Sequence, residues 1–314
     1  MNIAFNSSPT GADPIRAILD ASGPVVLAVI AGVEGPSYRP LGAMMAVMAD
    51  GARVGTLSSG CIEADIALHA GEVLATGAPR LIRYGQGSPF IDIELPCGGG
   101  LDILLVPNPD KDALNHVARR QAARDGCSLG IDADSGAMTV HDQGETGRAG
   151  HKLTVRFDPP IRFLVFGKGP EASTFAALVQ SAGYPNLLLS PDTETLQAGI
   201  TAGCPTQHMT QQGFPKDAHA DDRTAIVLFF HDHEWEPPIL KDAVQTDAFY
   251  IGSQGSQRAR DNRIATLEEM GVAPADIARL RGPVGLIPSA RDAGTLAVSV
   301  LAEVLAVAMQ KPRG

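Results

Sequence analysis

Four widely spaced cysteines in 314 residues are too few and too scattered for a disulfide framework or a zinc-finger pattern. Positive charge is also scarce. The 25 Lys and Arg stand against 35 Asp and Glu, a formal net charge of −10. That balance argues against non-specific binding to nucleic acid or to an anionic membrane surface, so an anionic ligand would need a local basic or backbone-amide site. No charged-then-apolar leader opens the chain, and no secretory signal is expected. The longest apolar run, Leu296 to Met309, is interrupted by Glu303 and reads as too short to span a bilayer. Internal repeats and low-complexity segments are absent. These absences point to a protein of a reducing cytoplasm. What is present is ordinary for a globular chain, 44% apolar and 19% charged, and long enough for two domains with cores of their own.

The first half turns on Gly55-Thr56-Leu57-Ser58-Ser59-Gly60-Cys61-Ile62-Glu63-Ala64-Asp65-Ile66. An extended run, Arg53 to Leu57, ends in Ser-Ser-Gly. Helical spacing then starts at Cys61 and runs through Ala67, Ala70, Val73 and Leu74. A thiol in the first turn of a helix feels the positive end of the helix dipole, which favours the thiolate. Ser59 or Gly60 is the expected cap, and the glycines allow a ligand close to the backbone. The plainer alternative makes Cys61 a small buried residue closing a strand–helix turn.

Around this stretch, Pro14 opens a short helix over Ile15 to Ala21, and Val25 to Ile30 reads as a buried strand. A loop dense in Gly and Pro follows, Glu34 to Gly42. Ala43 to Met48 and Ala52 to Leu57 form an expected hairpin about Asp50-Gly51, and Arg80 to Tyr84 is a further strand. Between Ile91 and Val106, two alternating strands flank Cys97-Gly98-Gly99-Gly100. Three glycines in a row suit either a tight bend or a cradle of backbone N–H groups for an anion. Asp110 to Arg124 is a helix. Cys127 to Ile131, Ala137 to Val140 and Lys152 to Arg156 read as a meander with Cys127 in the core, and Asp132 to Gly136 and Gly144 to Gly150 read as turns.

Asp158-Pro159-Pro160 is the natural linker, which places domains at 1–158 and 159–314. Beyond it the pattern becomes strand, glycine turn, helix, strand. Ile161 to Phe166 leads into Gly167-Lys168-Gly169-Pro170-Glu171-Ala172, the helix runs Ser173 to Ala182, and Leu187 to Leu189 is the second strand. This is the G-x-G-x-x-G/A form of a dinucleotide turn in the right setting. Ser190, however, ends the second strand where an NAD site shows an acid, with Asp192 two places later. A third strand, Thr224 to Phe230, ends in His231-Asp232-His233-Glu234, where His231 and His233 would point the same way and could share a ligand or a metal. No third metal ligand is evident, so no metal is assigned. Ala248 to Ile251 passes into Gly252-Ser253-Gln254-Gly255-Ser256-Gln257-Arg258-Ala259-Arg260. Ser256 should cap the helix that runs to Met270. Arg258 and Arg260 in its first turn oppose the dipole unless an anion sits at the Gly-Ser loop. Cys204 reads as a loop or core residue. The last helix, about Asp292 to Met309, is apolar on nearly every side and must be buried against the sheet or a second chain, and a homodimer is expected.

These segments together resemble the XdhC/CoxI family, the xanthine dehydrogenase accessory factors. The likeness covers nearly the whole chain. It rests on Glu34-Gly-Pro-Ser-Tyr-Arg-Pro-Leu-Gly, Gly55-Thr-Leu-Ser-Ser-Gly-Cys-Ile-Glu-Ala-Asp and Cys97-Gly-Gly-Gly-Leu-Asp-Ile-Leu-Leu in the first half. In the second half it rests on Phe166-Gly-Lys-Gly, His231-Asp-His-Glu, Tyr250-Ile-Gly-Ser-Gln-Gly-Ser and Gly282-Pro-Val-Gly-Leu.

The resemblance implies an α/β protein, with an N-terminal α+β XdhC/CoxI domain followed by a Rossmann-like doubly wound parallel-sheet domain. It implies a protein that binds molybdenum cofactor, in molybdopterin or dinucleotide form, protects it, supports its sulfuration and passes it to a xanthine dehydrogenase or aldehyde oxidase-type molybdenum hydroxylase apoenzyme. That is a chaperone more than a turnover enzyme, and a cysteine desulfurase is a further expected partner. Cys61, Glu63 and Cys97 would be the reactive groups, the two thiolates being soft neighbours for the cofactor. Cofactor contacts would fall to Cys61, Cys97, Gly98, Gly99, Gly167, Gly169, His231, His233, Gly252, Ser253, Gly255, Ser256 and Arg258. Two other classes stay open. One is an NAD(P)-dependent oxidoreductase using Gly167 to Ala172. The other is a metal-dependent hydrolase using His231, His233 and Glu234.

Overall fold

The computed structural model describes residues 13–58, 60, 62–88, 98–231 and 234–310. The chain divides into two compact units at Pro159 and Pro160.

In the N-terminal unit, the β-rich run after the first helix becomes the centre of a sheet. The elements are α1 (Pro14–Asp20), β1 (Val25–Glu34), β2 (Met44–Met48), β3 (Arg53–Gly55), α2 (Glu63–Thr76), β4 (Arg80–Gly85), β5 (Gly100–Pro107), α3 (Lys111–Ala122), β6 (Cys127–Asp132), β7 (Met138–His141), β8 (Gly147–Ala149) and β9 (Lys152–Phe157). A five-stranded antiparallel sheet has the order β3-β2-β1-β5-β4. Because strand side chains alternate between faces, β1 feeds two cores. Val25, Leu27 and Val29 pack with α1, α3 and the second sheet, whereas Val26, Ala28 and Ile30 pack under Ile62, Ile66, Ala70 and Val73 at α2. The second sheet has the order β7-β6-β9-β8. It is not the simple meander expected: β6 lies between β7 and β9, and part of the Gly144 to Gly150 turn is the edge strand β8. Cys127 is fully buried in its core.

The C-terminal unit contains β10 (Arg162–Gly167), α4 (Pro170–Ser181), β11 (Asn186–Ser190), α5 (Thr193–Thr201), β12 (Thr206–His208), β13 (Thr224–Phe229), α6 (Glu236–Ala243), β14 (Tyr250–Ser253), α7 (Gln257–Glu269), α8 (Pro274–Ile277), β15 (Leu280–Arg281) and α9 (Ala293–Gln310). All six strands are parallel, in the order β12-β11-β10-β13-β14-β15. This is the doubly wound order that reverses between the first and fourth strands, and ligands collect in the crevice beyond the carboxyl ends at that reversal. Every residue of β10 and β13 is buried, as expected when helices cover both faces. Phe163 and Val165 face α4 and α9, while Leu164 and Phe166 face the side of α6 and α7.

The last helix is buried on one face only. Ala297, Ser299, Val300 and Val304 are buried, yet Val298 and Met309 are exposed. At 18 residues α9 is long and apolar enough, by length and composition alone, to cross a membrane, which the interrupted run had not suggested. In this fold one face of it packs on the sheet, and Glu303 holds it there by accepting hydrogen bonds from the Tyr250 hydroxyl (2.9 Å) and the Gly285 N–H.

Candidate functional site

In the C-terminal unit a cleft of about 400 Å³ opens above the carboxyl ends of β10, β13 and β14, bounded by Glu171, His231, Gln254, Val284, Arg291 and Leu296 among others. The glycine turn after β10 forms one edge. A Cβ on Gly167 would sit 2.6 Å from the Phe229 carbonyl oxygen and 2.7 Å from Ala172 Cβ, so only glycine lets β10, β13 and α4 approach this closely. Gly169 has φ of +92° and caps α4. Its N–H is already engaged, donating to Thr195 Oγ1 at 2.8 Å. The Thr195 hydroxyl in turn donates to Asp192, whose carboxylate also accepts from Thr195 N and caps α5. These hydrogen bonds hold the Asp192 carboxyl below its usual range. The acid nearest to where a ribose would lie is thus turned inward as a helix cap.

The positive end of α4 carries Glu171 in its first turn. A carboxylate there is favoured by the helix dipole and lies where a dinucleotide would bring phosphate. Its Oε2 is 3.5 Å from His231 Nε2, and the same ring nitrogen is 3.3 Å from Gln254 Nε2. The His231 side chain is otherwise largely exposed, at 71%.

Glu236 and Arg263, which also line the cleft, form a buried polar knot with Ser253. Arg263 donates to both oxygens of Glu236 (3.1–3.3 Å) and to the Gln254 carbonyl (2.9 Å), and the Ser253 hydroxyl donates to Glu236. This pairing ties α6, β14 and α7 together. Several residues read as an anion cradle have structural roles here. Ser253 holds Glu236. Ser256 caps α7 by accepting from Ala259 N at 3.2 Å. Gly252 is required by packing, since a Cβ would meet Tyr250 Cε1 and Val284 Cγ1 at 2.6 Å. Gly255 lines the cleft, but Arg258 is exposed on α7 and does not. His233 lies outside the described residues. Among the described residues no group of three or more His, Cys, Asp and Glu is disposed to hold a metal ion.

In the N-terminal unit the loop that leads to Cys61 is organised by one carboxylate. Glu63, 6% exposed, opens α2 and folds back over the residues before it. Its Oε1 accepts from the Thr56 hydroxyl (2.6 Å), Leu57 N (3.0 Å) and Ser58 N (2.8 Å). Its Oε2 accepts from the Ser58 hydroxyl (2.7 Å), Gly60 N (2.9 Å) and Ile62 N (3.2 Å). Burial pushes its pKa up, but the hydrogen bonds from Thr56 and Ser58 outweigh that and bring it down to about 2. Ile62, not Ser59 or Gly60, is the helix cap, and its own apolar side chain makes no capping hydrogen bond. Cys61 and Cys97 lie outside the described residues. After Cys97, Gly98 is exposed with φ of +71°, while Gly99 is locked against the carbonyls of Glu34 and Pro36 and its own carbonyl accepts from Gln86 N at 3.1 Å. Arg83 pins this corner through Glu34, Asp102 and the Gln86 carbonyl.

The glycine turn, the Gly99 packing and the Ser256 cap are signalled by residue type. Glu171, Gln254, Thr195 and the Glu236–Arg263 pair were not singled out from sequence. The only cue for the last pair is two opposite charges in segments that flank a buried strand.

Residues 163–304 match the family model described as the XdhC Rossmann domain, and residues 18–85 match that of the XdhC and CoxI family. The molybdenum cofactor insertion chaperone PaoD of Escherichia coli (strain K12) is 35% identical over 300 residues, covering 95% of this chain and 87% of its own. The chain belongs to the XdhC/CoxI family. A more distant relative of this XdhC/CoxI protein is a probable xanthine dehydrogenase subunit of Bacillus subtilis (strain 168), 26% identical over 334 residues, with 93% and 95% of the two chains covered. Among solved structures, a protein described as a xanthine dehydrogenase from Bacillus halodurans aligns with a TM-score of 0.76 at 21% identity over 95% and 96% of the chains. At that identity the likeness shows that the XdhC/CoxI chain shares its fold.

Proposed function

We propose that this protein binds molybdenum cofactor as cargo, supports its sulfuration and inserts it into a molybdenum hydroxylase apoenzyme. The observation that carries the reading is the 35% identity to a molybdenum cofactor insertion chaperone across nearly the full length of both chains. The cleft supports it by what it disfavours. Glu171 lies at the α4 terminus, Asp192 caps α5, and Thr195 takes the Gly169 N–H. Each of these competes with the groups of a nicotinamide dinucleotide, which favours the cargo reading over the oxidoreductase alternative. In this reading Cys61 and Cys97 supply soft thiolates to the cargo. Glu63, with both oxygens engaged, fixes the loop that leads to Cys61.

The test is delivery. Cofactor-free hydroxylase is incubated with cofactor and wild-type protein, or with Cys61→Ala or Cys97→Ala, and bound molybdenum and activity are measured. Wild type should raise both, and each variant should lower the gain. Equal delivery by all three proteins removes the thiolate roles, and no delivery by wild type removes the function.

A further inference from the structure

The cleft of the C-terminal unit holds an acceptor that lacks a donor. Glu171 Oε2 is shielded from solvent and receives no hydrogen bond among the described residues. Its nearest polar neighbour, His231 Nε2 at 3.5 Å, is also approached by the Gln254 side-chain amide. One ring nitrogen either donates a proton or accepts one, so it cannot serve the carboxylate and the amide together. Leaving a desolvated carboxylate oxygen unpaired is costly, and a ligand that brings donors recovers that cost on binding. Phosphate is the wrong ligand for this oxygen, because both are acceptors. Phe230, Val284 and Leu296 give the otherwise polar lining, which also carries Arg291 and Asp292, apolar surface for a ring face, and the volume of about 400 Å³ is ample for a bicyclic ring.

A planar heterocycle with two adjacent N–H donors on one edge meets these demands. The 2-amino-4-oxo edge of a pterin sets a ring N–H beside an exocyclic amine, matching the two oxygens of one carboxylate in a bidentate pair. We infer that Glu171 binds the aminopyrimidinone edge of the pterin ring of the cargo, with Gln254 and His231 at the rim. This inference rests on the cargo reading above, yet it is tested on the ring alone.

The full chain is titrated with pterin, with lumazine, which carries a 2-oxo group in place of the amine, and with guanosine, which shares the donor edge on a different ring. Ligand or Trp235 fluorescence gives the affinities. Wild type should prefer pterin over lumazine by roughly ten- to a hundredfold, the worth of a hydrogen bond to a charged group. Glu171→Gln should lose most of that preference with an unchanged thermal midpoint. If it does not fold, Glu171→Asp, with the charge drawn back by one methylene, should weaken pterin and leave lumazine alone. Equal binding of pterin and lumazine, no pterin binding, guanosine binding as tightly as pterin, or an unchanged preference in the variant that folds would each overturn the assignment. Intact delivery of whole cofactor alongside any of these leaves the chaperone reading standing, whereas an intact pterin preference without delivery removes that reading and keeps the site.

Discussion

Glu63 is the residue whose role differs most from what its place in the sequence suggests. Next to a cysteine in a glycine-flanked loop it looks like a reactive carboxylate. Folded, it accepts, among the described residues, from four backbone N–H groups and two hydroxyls and so holds Thr56, Leu57, Ser58, Gly60 and Ile62 in place. Because its folded pKa lies below the unfolded value, its contribution is complete above about pH 4.5 and is lost as pH falls toward about 2. That interval corresponds to about 3 kcal/mol. Glu63→Gln should therefore lower stability near neutral pH by a similar amount and flatten the loss between those pH values, as read by urea midpoints across a pH series. A midpoint unchanged at pH 7 would show that the carboxylate does not hold the loop. At the same scale, Arg263→Met leaves Glu236 buried and unpaired, and should cost roughly 3–5 kcal/mol. Adding Glu236→Leu should restore much of it, since an apolar pair leaves no charge without a partner. A double variant as unstable as the single one would assign the effect to packing.

Among the elements, the β10 turn and α5 behave as one device through Thr195. Asp192→Ala removes the α5 cap and frees the Thr195 hydroxyl that receives the Gly169 N–H. A loss of about 1 kcal/mol is expected from the cap, together with faster exchange of the Gly169 amide in hydrogen-exchange NMR. Gly167→Ala drives a methyl into the Phe229 carbonyl and Ala172 and should cost about 1–3 kcal/mol by overpacking, measured by thermal unfolding. A neutral result in either would mean that the turn relaxes more easily than its contacts indicate. The strand and helix runs were legible because their periods are local properties of the chain: β1, β10 and β13 follow from runs of Val, Ile, Leu and Phe, and α7 from Ser256. α9 was legible as a helix, but which of its faces the sheet covers was not, since its composition is apolar all round.

On the scale of the whole molecule, the chain has two units with separate cores, and its only tryptophan, Trp235, packs in the core of the second beside Phe230. Tryptophan emission therefore reports on the C-terminal unit, whereas far-ultraviolet circular dichroism reports on both. In urea the two signals should give transitions that do not superimpose, because chains with two cores depart from two-state unfolding. Coincident curves with equal slopes would indicate that the units unfold as one.

By itself the sequence determined the class of fold and the family likeness. Hydrophobic period, turn glycines and proline pairs act over a few residues, and motifs such as Gly-Cys-Ile-Glu are contiguous. Tertiary structure alone decided what the polar side chains do. Glu236 meets Arg263, Thr195 meets Gly169, and Glu171 comes to face Gln254 across His231, all between segments well apart along the chain. No local pattern encodes those meetings, because they arise when the parallel strands bring their carboxyl ends to one edge. That edge is also where Glu171, in the first turn of the helix after the glycine turn, comes to stand beside His231.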